Sequence, residues 1–395
     1  MMEADSPERL CEGGAAAVLN MAPGASISVA YHPQFGPHDD LMLLEVDEKL
    51  LPDVLHQRVA LRGQQEEDAV LCTESKTYAV KFVGTSNSVF LVPPSEQYEI
   101  EGKCGGELGL GGKVRASVLK VAQGCMELVE IAPRIDKLKN LLLERPYMSS
   151  DVEMGDSGEE MGAGLYGWGD LVEMVQASDE ELRRGLEVLS AVEIDGFWRV
   201  VDEQYMDLIL NMLLHNIVLN DWSFDALNES EVMEVLKSDG FSPDISLHCL
   251  KVFGHRTVPD LGSSIWSLEE KKVCVHFARK VLRGGKKKMD AFMEEWVKKI
   301  PKGMHVSFDM LEGEVLTEQF GIDTWVRSFS VSSLPYNPTE RFTILFKEQA
   351  KWEFKDLQPY ISDLSVPGSS LEDLLLKYTR RTQASVDSEP VFSAR

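Results

Sequence analysis

The hydrophobic pattern changes its period once along this 395-residue chain, so a β-rich part must be followed by a helical one. From Ile27 the apolar residues alternate. Ile27–Tyr31, Leu41–Val46, Val59–Arg62 and Ala69–Cys72 read as short strands. Thr77–Val83 and Ser88–Val92 read as a hairpin about Gly84-Thr85-Ser86-Asn87, with Tyr78, Val80 and Phe82 on one face. A glycine-rich loop, Gly102–Gly112, precedes the apolar run Val114–Ala132, and many strands at this spacing predict a sandwich or barrel. Ile135–Leu143 then reads as a helix.

After Leu165 the period is helical. Ser178-Asp179-Glu180-Glu181 is a capping box: the serine accepts from the first free amides and the glutamate reaches back. The helix it opens turns Leu182, Leu186 and Leu189 inward, and Val192–Val200 forms two strands about Asp195-Gly196. Helix, turn, helix, hairpin is the winged-helix order. Residues 203–286 partly repeat it. A third unit from about 287 is expected to place Thr324–Val331 against Arg341–Phe346 as its hairpin. The expected fold class is therefore α+β multidomain, an N-terminal β-rich barrel or sandwich followed by tandem winged-helix domains. Its segments are a mobile tail 1–24, a β-rich domain 25–145, an acidic linker 146–164, and winged-helix units at 165–202, 203–286 and 287–395.

Charge narrows the function. The formal net charge is −25, but residues 1–266 hold 20 Lys+Arg against 46 Asp+Glu, and residues 267–395 hold 20 against 19. Polyanion binding rests on neutralising phosphates, so only the last third suits nucleic acid. The six cysteines include no C-x-x-C pair and read as reduced thiols of a cytosolic or nuclear protein. No apolar run reaches the ~18 residues of a membrane span, and no membrane partner is expected.

Catalytic signatures are missing. Glu107–Val114 mimics a P-loop at Gly112-Lys113 but lacks the leading glycine and the Ser/Thr that holds Mg²⁺. His248, Cys249, His255, Cys274 and His276 do not have zinc-pair spacing and read as helix or core residues. No catalytic, cofactor or metal site is expected, and the chain is not read as an enzyme.

One stretch runs against the acidity. From Arg279 to Lys302 nine basic residues face three acidic ones, with Lys286, Lys287 and Lys288 following Gly284-Gly285. With Lys298, Lys299, Lys302, Arg327, Arg341 and Lys347 they are the candidate nucleic-acid contacts, interleaved with aromatic residues that could stack on bases. Solvated lysines and core aromatics are the competing reading.

Ala69–Cys72, Thr77–Val83, Gly84–Ser88, and Ser178–Leu189 followed by Ile194–Arg199 resemble the Dcc family, named for defective sister chromatid cohesion. The likeness covers nearly the whole chain from about Ile27. It implies a nuclear subunit of the alternative, Ctf-type replication factor C clamp loader. The implied partners are the small Ctf subunit and the carboxyl terminus of the large Ctf subunit. Through the complex they extend to the sliding clamp and DNA polymerase epsilon, and winged helices of the family can contact DNA. Tyr78, Val80, Phe82, Phe90 and Leu91 are the residues expected to meet partner strands, since an unpaired apolar edge invites strand addition; the alternative is that they form the domain's own core. The second functional reading is a winged-helix DNA-binding protein acting mainly through its basic region.

Overall fold

A computed structural model describes residues 27–93, 114–149, 151, 164–257, 264–364, 370–383 and 389–395. The expected tail, the loop 102–112 and most of the acidic linker lie outside them. Of the described residues, those within 27–56 and 78–129 form one compact unit; those within 57–77 and 130–395 form the other.

In the first unit β1 (Ile27–Tyr31) pairs in parallel with β6 (Val114–Val118), and β2 (Leu44–Glu45) pairs in parallel with β7 (Lys120–Ile131). Helix α1 (Leu51–His56) follows β2. Beside β7 runs β5 (Thr77–Leu91). The expected hairpin within 77–92 is one continuous 15-residue strand. Gly84 has no positive φ to reverse the chain, and the alternating Thr85, Ser86, Asn87 and Ser88 simply continue the pleat. Glycine serves contact here: a Cβ on Gly124 of β7 would lie 2.1 Å from the Val83 carbonyl oxygen. Among the described residues no sheet closes into a barrel.

In the second unit β3 (Ala60–Arg62) and β4 (Val70–Cys72) form an antiparallel hairpin. After it, one element order occurs four times among the described residues: helix, short strand, helical turns, then a two-stranded hairpin. The first copy comprises α2 (Ile135–Glu144), a bridge from Tyr166 to Trp198, α3 (Trp168–Met174), α4 (Asp179–Val188), β8 (Ala191–Ile194) and β9 (Phe197–Val200). The second comprises α5 (Glu203–Leu219), β10 (Leu227–Asn228), α6 (Glu229–Ser238), α7 (Pro243–Phe253), β11 (Gly254–Thr257) and β12 (Ile265–Leu268). The third comprises α8 (Glu270–Leu282), β13 (Lys287–Lys288), α9 (Met289–Lys299), a 3₁₀ turn at Phe308–Leu311, β14 (Val315–Phe320) and β15 (Asp323–Ser328). The fourth comprises α10 (Pro338–Glu348), β16 (Lys351–Glu353), α11 (Phe354–Leu357), α12 (Leu371–Tyr378), β17 (Thr379–Thr382) and β18 (Val391–Ala394). In the last three copies the short strand pairs with the final strand, giving the orders β10-β12-β11, β13-β15-β14 and β16-β18-β17.

Local chemistry sets these starts. Ser178 and Ser370 form capping boxes with Glu181 and Asp373, Asp202 and Asn228 cap α5 and α6, and Ser242-Pro243 and Asn337-Pro338 begin α7 and α10. Arg341–Phe346, expected as a strand, therefore lies in α10. The Asn337 cap and the helical spacing of Phe342 and Leu345, both buried, outweigh its β propensity. The true partner of β15 is β14, joined to it through Gly321 at φ 65°.

Three buried clusters result. One joins α2, α3 and α4 around Leu138, Leu171 and Leu182. One runs through the second and third copies. One fills the fourth copy around Trp352 and Phe342. Among the described residues no helix is long and apolar enough to cross a membrane.

Candidate interaction surfaces

A strand paired on both sides and covered on one face buries every second side chain. β5 does not: from Lys81 to Phe90 every residue is exposed, on both faces. Phe82 is 60% and Phe90 51% exposed, while Tyr78, Val80 and Leu91 are half-buried. The same unit exposes Val29, Tyr31, Phe35, Met42, Val83 and Val89. Tyr31 and Phe35 pack their rings 4.4 Å apart at the surface. Sequence reading missed this second group, because Val83 and Val89 lie on the face opposite Tyr78, Val80 and Phe82.

Beside Phe82 a groove of about 300 Å³ runs between residues 37–43 and β7. The Lys120 ammonium donates to the carbonyls of His38 and Leu41, each at 2.7 Å, and fixes its wall. Near its end the Cys125 thiol donates to Glu45 at 3.4 Å, and that hydrogen bond pushes the thiol up. Glu45, which is exposed, and the half-buried Cys125 and Glu127 bring donor atoms within 4.8 Å of one another.

The basic residues gather about the hairpin of the third copy, but carboxylates meet most of them. Lys286 lies 4.7 Å over Phe320 and 5.7 Å over Trp325, with Glu318 at 3.9 Å. Lys287 pairs with Glu295, Lys288 with Asp323 at 2.7 Å, and Lys298 with Glu294 at 2.6 Å. Arg327 is held by Glu318 at 2.8 Å and by Glu348. Lys299, Lys302 and Lys347 are exposed. Arg341 departs most from expectation: it is 1% exposed. Its guanidinium donates to the carbonyls of Pro335 at 2.7 Å and Tyr360 at 3.1 Å and pairs with Asp363, so it serves the core of the fourth copy and presents nothing to a phosphate.

The fourth copy carries basic residues that sequence reading passed over. Across its sheet Lys351 and Arg380 both register against Ser393, and Arg381 follows on the edge strand. Lys351, Arg380 and Arg381 are exposed, with no carboxylate partner among the described residues. They were invisible as a cluster because strand pairing, and not chain order, assembles them.

Of the His/Cys group, His255 departs from the expected helix or core place: it is exposed on β11, 3.6 Å from Glu269, while the other four lie in α7 and α8. Cys249 is fully buried and its thiol is pushed up to about 12 by burial; burial likewise pushes Cys274 to about 11. His276 meets Asp207 at 3.1 Å, and Lys280 meets the same carboxylate at 2.6 Å. Burial works against that carboxylate, but these two hydrogen bonds outweigh it and hold Asp207 below the usual range.

The family model described as "Sister chromatid cohesion protein Dcc1" matches residues 41–361, from just before β2 of the first unit into the fourth copy. The chain belongs to the Dcc1 family. Its relatives include the sister chromatid cohesion protein of Danio rerio, 33% identical over 89% of this chain and 90% of that one. The Homo sapiens protein is 30% identical over 91% and 88%. The probable Dictyostelium discoideum protein is 25% identical over 90% and 95%. Similarity at this level thus extends over both units of this Dcc1-family chain.

Proposed function

We propose that this Dcc1-family chain is a non-catalytic, nuclear scaffold subunit of the alternative Ctf-type clamp loader, acting in replication and sister chromatid cohesion. The observation that supports the reading is β5, a long strand on which Phe82 and Phe90 are 60% and 51% exposed among the described residues. Strands of the small Ctf subunit and of the large Ctf subunit's carboxyl terminus would cover them and complete a barrel-like module. Each phenylalanine covered would contribute about 1.5–3 kcal/mol. The four copies are read as four winged helices, one more than the sequence suggested, which would meet DNA polymerase epsilon and DNA near the sliding clamp. Co-expression of the full chain with the two Ctf chains should give a stoichiometric complex. A folded Phe82→Asp, Phe90→Asp chain should fail to join it, and its retention there would contradict the proposal.

A DNA contact is supported by Lys351, Arg380 and Arg381 of the fourth copy, which meet no carboxylate among the described residues, more than by the neutralised lysines 286–288. Arg380→Glu with Arg381→Glu should flatten the salt dependence of duplex binding, while Lys286→Glu with Lys288→Glu should change it little. The reverse ranking would return the contact to the third copy.

A further inference from the structure

Where the first three copies meet, a cleft of about 810 Å³ opens in the helical unit. Its wall is apolar, built from Val201, Met206, Val252 and Val275, and its mouth carries Leu143 and Val188, which are 52% and 68% exposed. One polar group in this lining stands out. His248 of α7 is 5% exposed, and its Nε2 has no hydrogen-bond partner. The Ser190 backbone lies beside the ring; with the imidazole neutral and its proton on Nδ1, Nε2 is an acceptor. A buried acceptor left unpaired is destabilising, and one that lines a cleft fits an incoming N–H.

The charges at the rim select the rest of the ligand. Lys272 is taken by Glu269 at 2.8 Å and Arg279 by Glu314 at 2.6 Å, while Glu203 pairs with Arg283. Asp202 spends its carboxylate capping α5. Lys271 and Lys139 have no carboxylate partner among the described residues; Lys139 donates only to the Ser332 carbonyl at 2.5 Å. The charge left over at the cleft is thus a single positive one, Lys139 and Lys271 against Asp202, and it borders an apolar wall. That combination fits an acidic peptide better than a nucleic-acid backbone, which needs many cations and little apolar surface.

We propose that this cleft docks a short linear peptide of a partner protein, with an apolar side chain against Val201 and Met206, an N–H on His248 Nε2, and an acidic residue on Lys271 or Lys139. The inference does not rest on the β5 reading, because the cleft is built entirely from the helical unit.

The probe is a random peptide library displayed on phage and selected on the full chain, with enriched peptides then synthesised and titrated by fluorescence anisotropy. Enriched peptides should pair an apolar residue with Asp or Glu. Val188→Glu and Lys271→Glu, both at exposed positions, should each weaken binding at least about tenfold. The ¹³Cε1 resonance of His248, assigned by His248→Gln, should move on saturation with peptide. The proposal is overturned if no peptide enriches, if both variants bind as the parent does, or if the His248 resonance stays still. It is also overturned if a single-stranded oligonucleotide displaces the peptide and loses its own binding in the same variants, since the site would then be one for nucleic acid. Val188→Glu should leave assembly with the Ctf chains intact, so the two readings fail separately.

Discussion

The Thr77 hydroxyl donates to the Glu181 carboxylate at 2.6 Å, and the same oxygen accepts from the Ser178 amide at 2.9 Å. Thr77 is the first residue of β5; Ser178 and Glu181 are the capping box of α4. Around this point Arg62 holds the Ala177 carbonyl and Asp179, Gln176 donates to the Asp68 carbonyl at 2.5 Å, and Lys137 meets Glu67 at 2.7 Å. The hairpin 57–77 is thereby stapled to a helix a hundred residues downstream. Thr77→Val keeps the shape and removes both bonds, which should cost about 2 kcal/mol in denaturant unfolding of the full chain. A change within a few tenths of zero would show that the capping box needs no such support.

The same geometry decides how the chain can be cut. Ile135, Leu138 and Leu142 of α2 are buried with Leu171, Leu182 and Leu186, and a Cβ on Gly185 would come within 2.7 Å of Ile135 Cδ1. A fragment 165–395 lacks α2 and should expose this cluster, leaving α4 unprotected in hydrogen exchange, whereas 130–395 should protect it. Equal protection in both would contradict the assignment of α2 to the first copy.

Acid should loosen the helical unit before it unfolds the rest. Burial pushes the His248 imidazole from an ordinary value of 6.5 down to about 4. The fold therefore binds that proton less readily than the unfolded chain does. Its contribution is complete above about pH 6.5 and is lost as pH falls toward 4, by about 3 kcal/mol in all. His248→Phe should flatten the stability curve across that window in thermal unfolding. An unchanged slope would place the acid sensitivity elsewhere, with the Asp207 carboxylate next in line.

Arg341 offers a contrast between surface and core. Arg341→Ala leaves Asp363 and two carbonyls without their donor and should destabilise the fourth copy by about 3 kcal/mol. Resistance to urea should fall. Duplex affinity measured well below the unfolding midpoint should hold.

Much of this architecture is legible in the chain. The capping box at Ser178 and the Asp195-Gly196 hairpin announce themselves through local chemistry, and each forms where expected. What fails is long-range pairing. Gly84–Asn87 has turn composition, yet it continues a strand because Gly124 of β7 lets the Val83 backbone approach. Arg341–Phe346 has strand composition, yet Asn337 and Pro338 start a helix through it. The lysines 286–288 look free in the sequence because Glu318 and Asp323, which meet two of them, lie on the opposing hairpin. Lys351 and Arg380 become neighbours only when β18 is placed between them. Composition reports what a segment can do; the partner strand decides what it does.

The most direct measurement of the central claim is hydrogen–deuterium exchange across Tyr78–Leu91 in the full chain, alone and with the two Ctf chains. Exposed along both faces, the segment Lys81–Phe90 should exchange quickly alone and slow by about a hundredfold or more in the complex, as partner strands cover Phe82 and Phe90. Exchange there that is unchanged by the partners, in a complex that has formed, would contradict the claim that this strand joins the chain to its assembly.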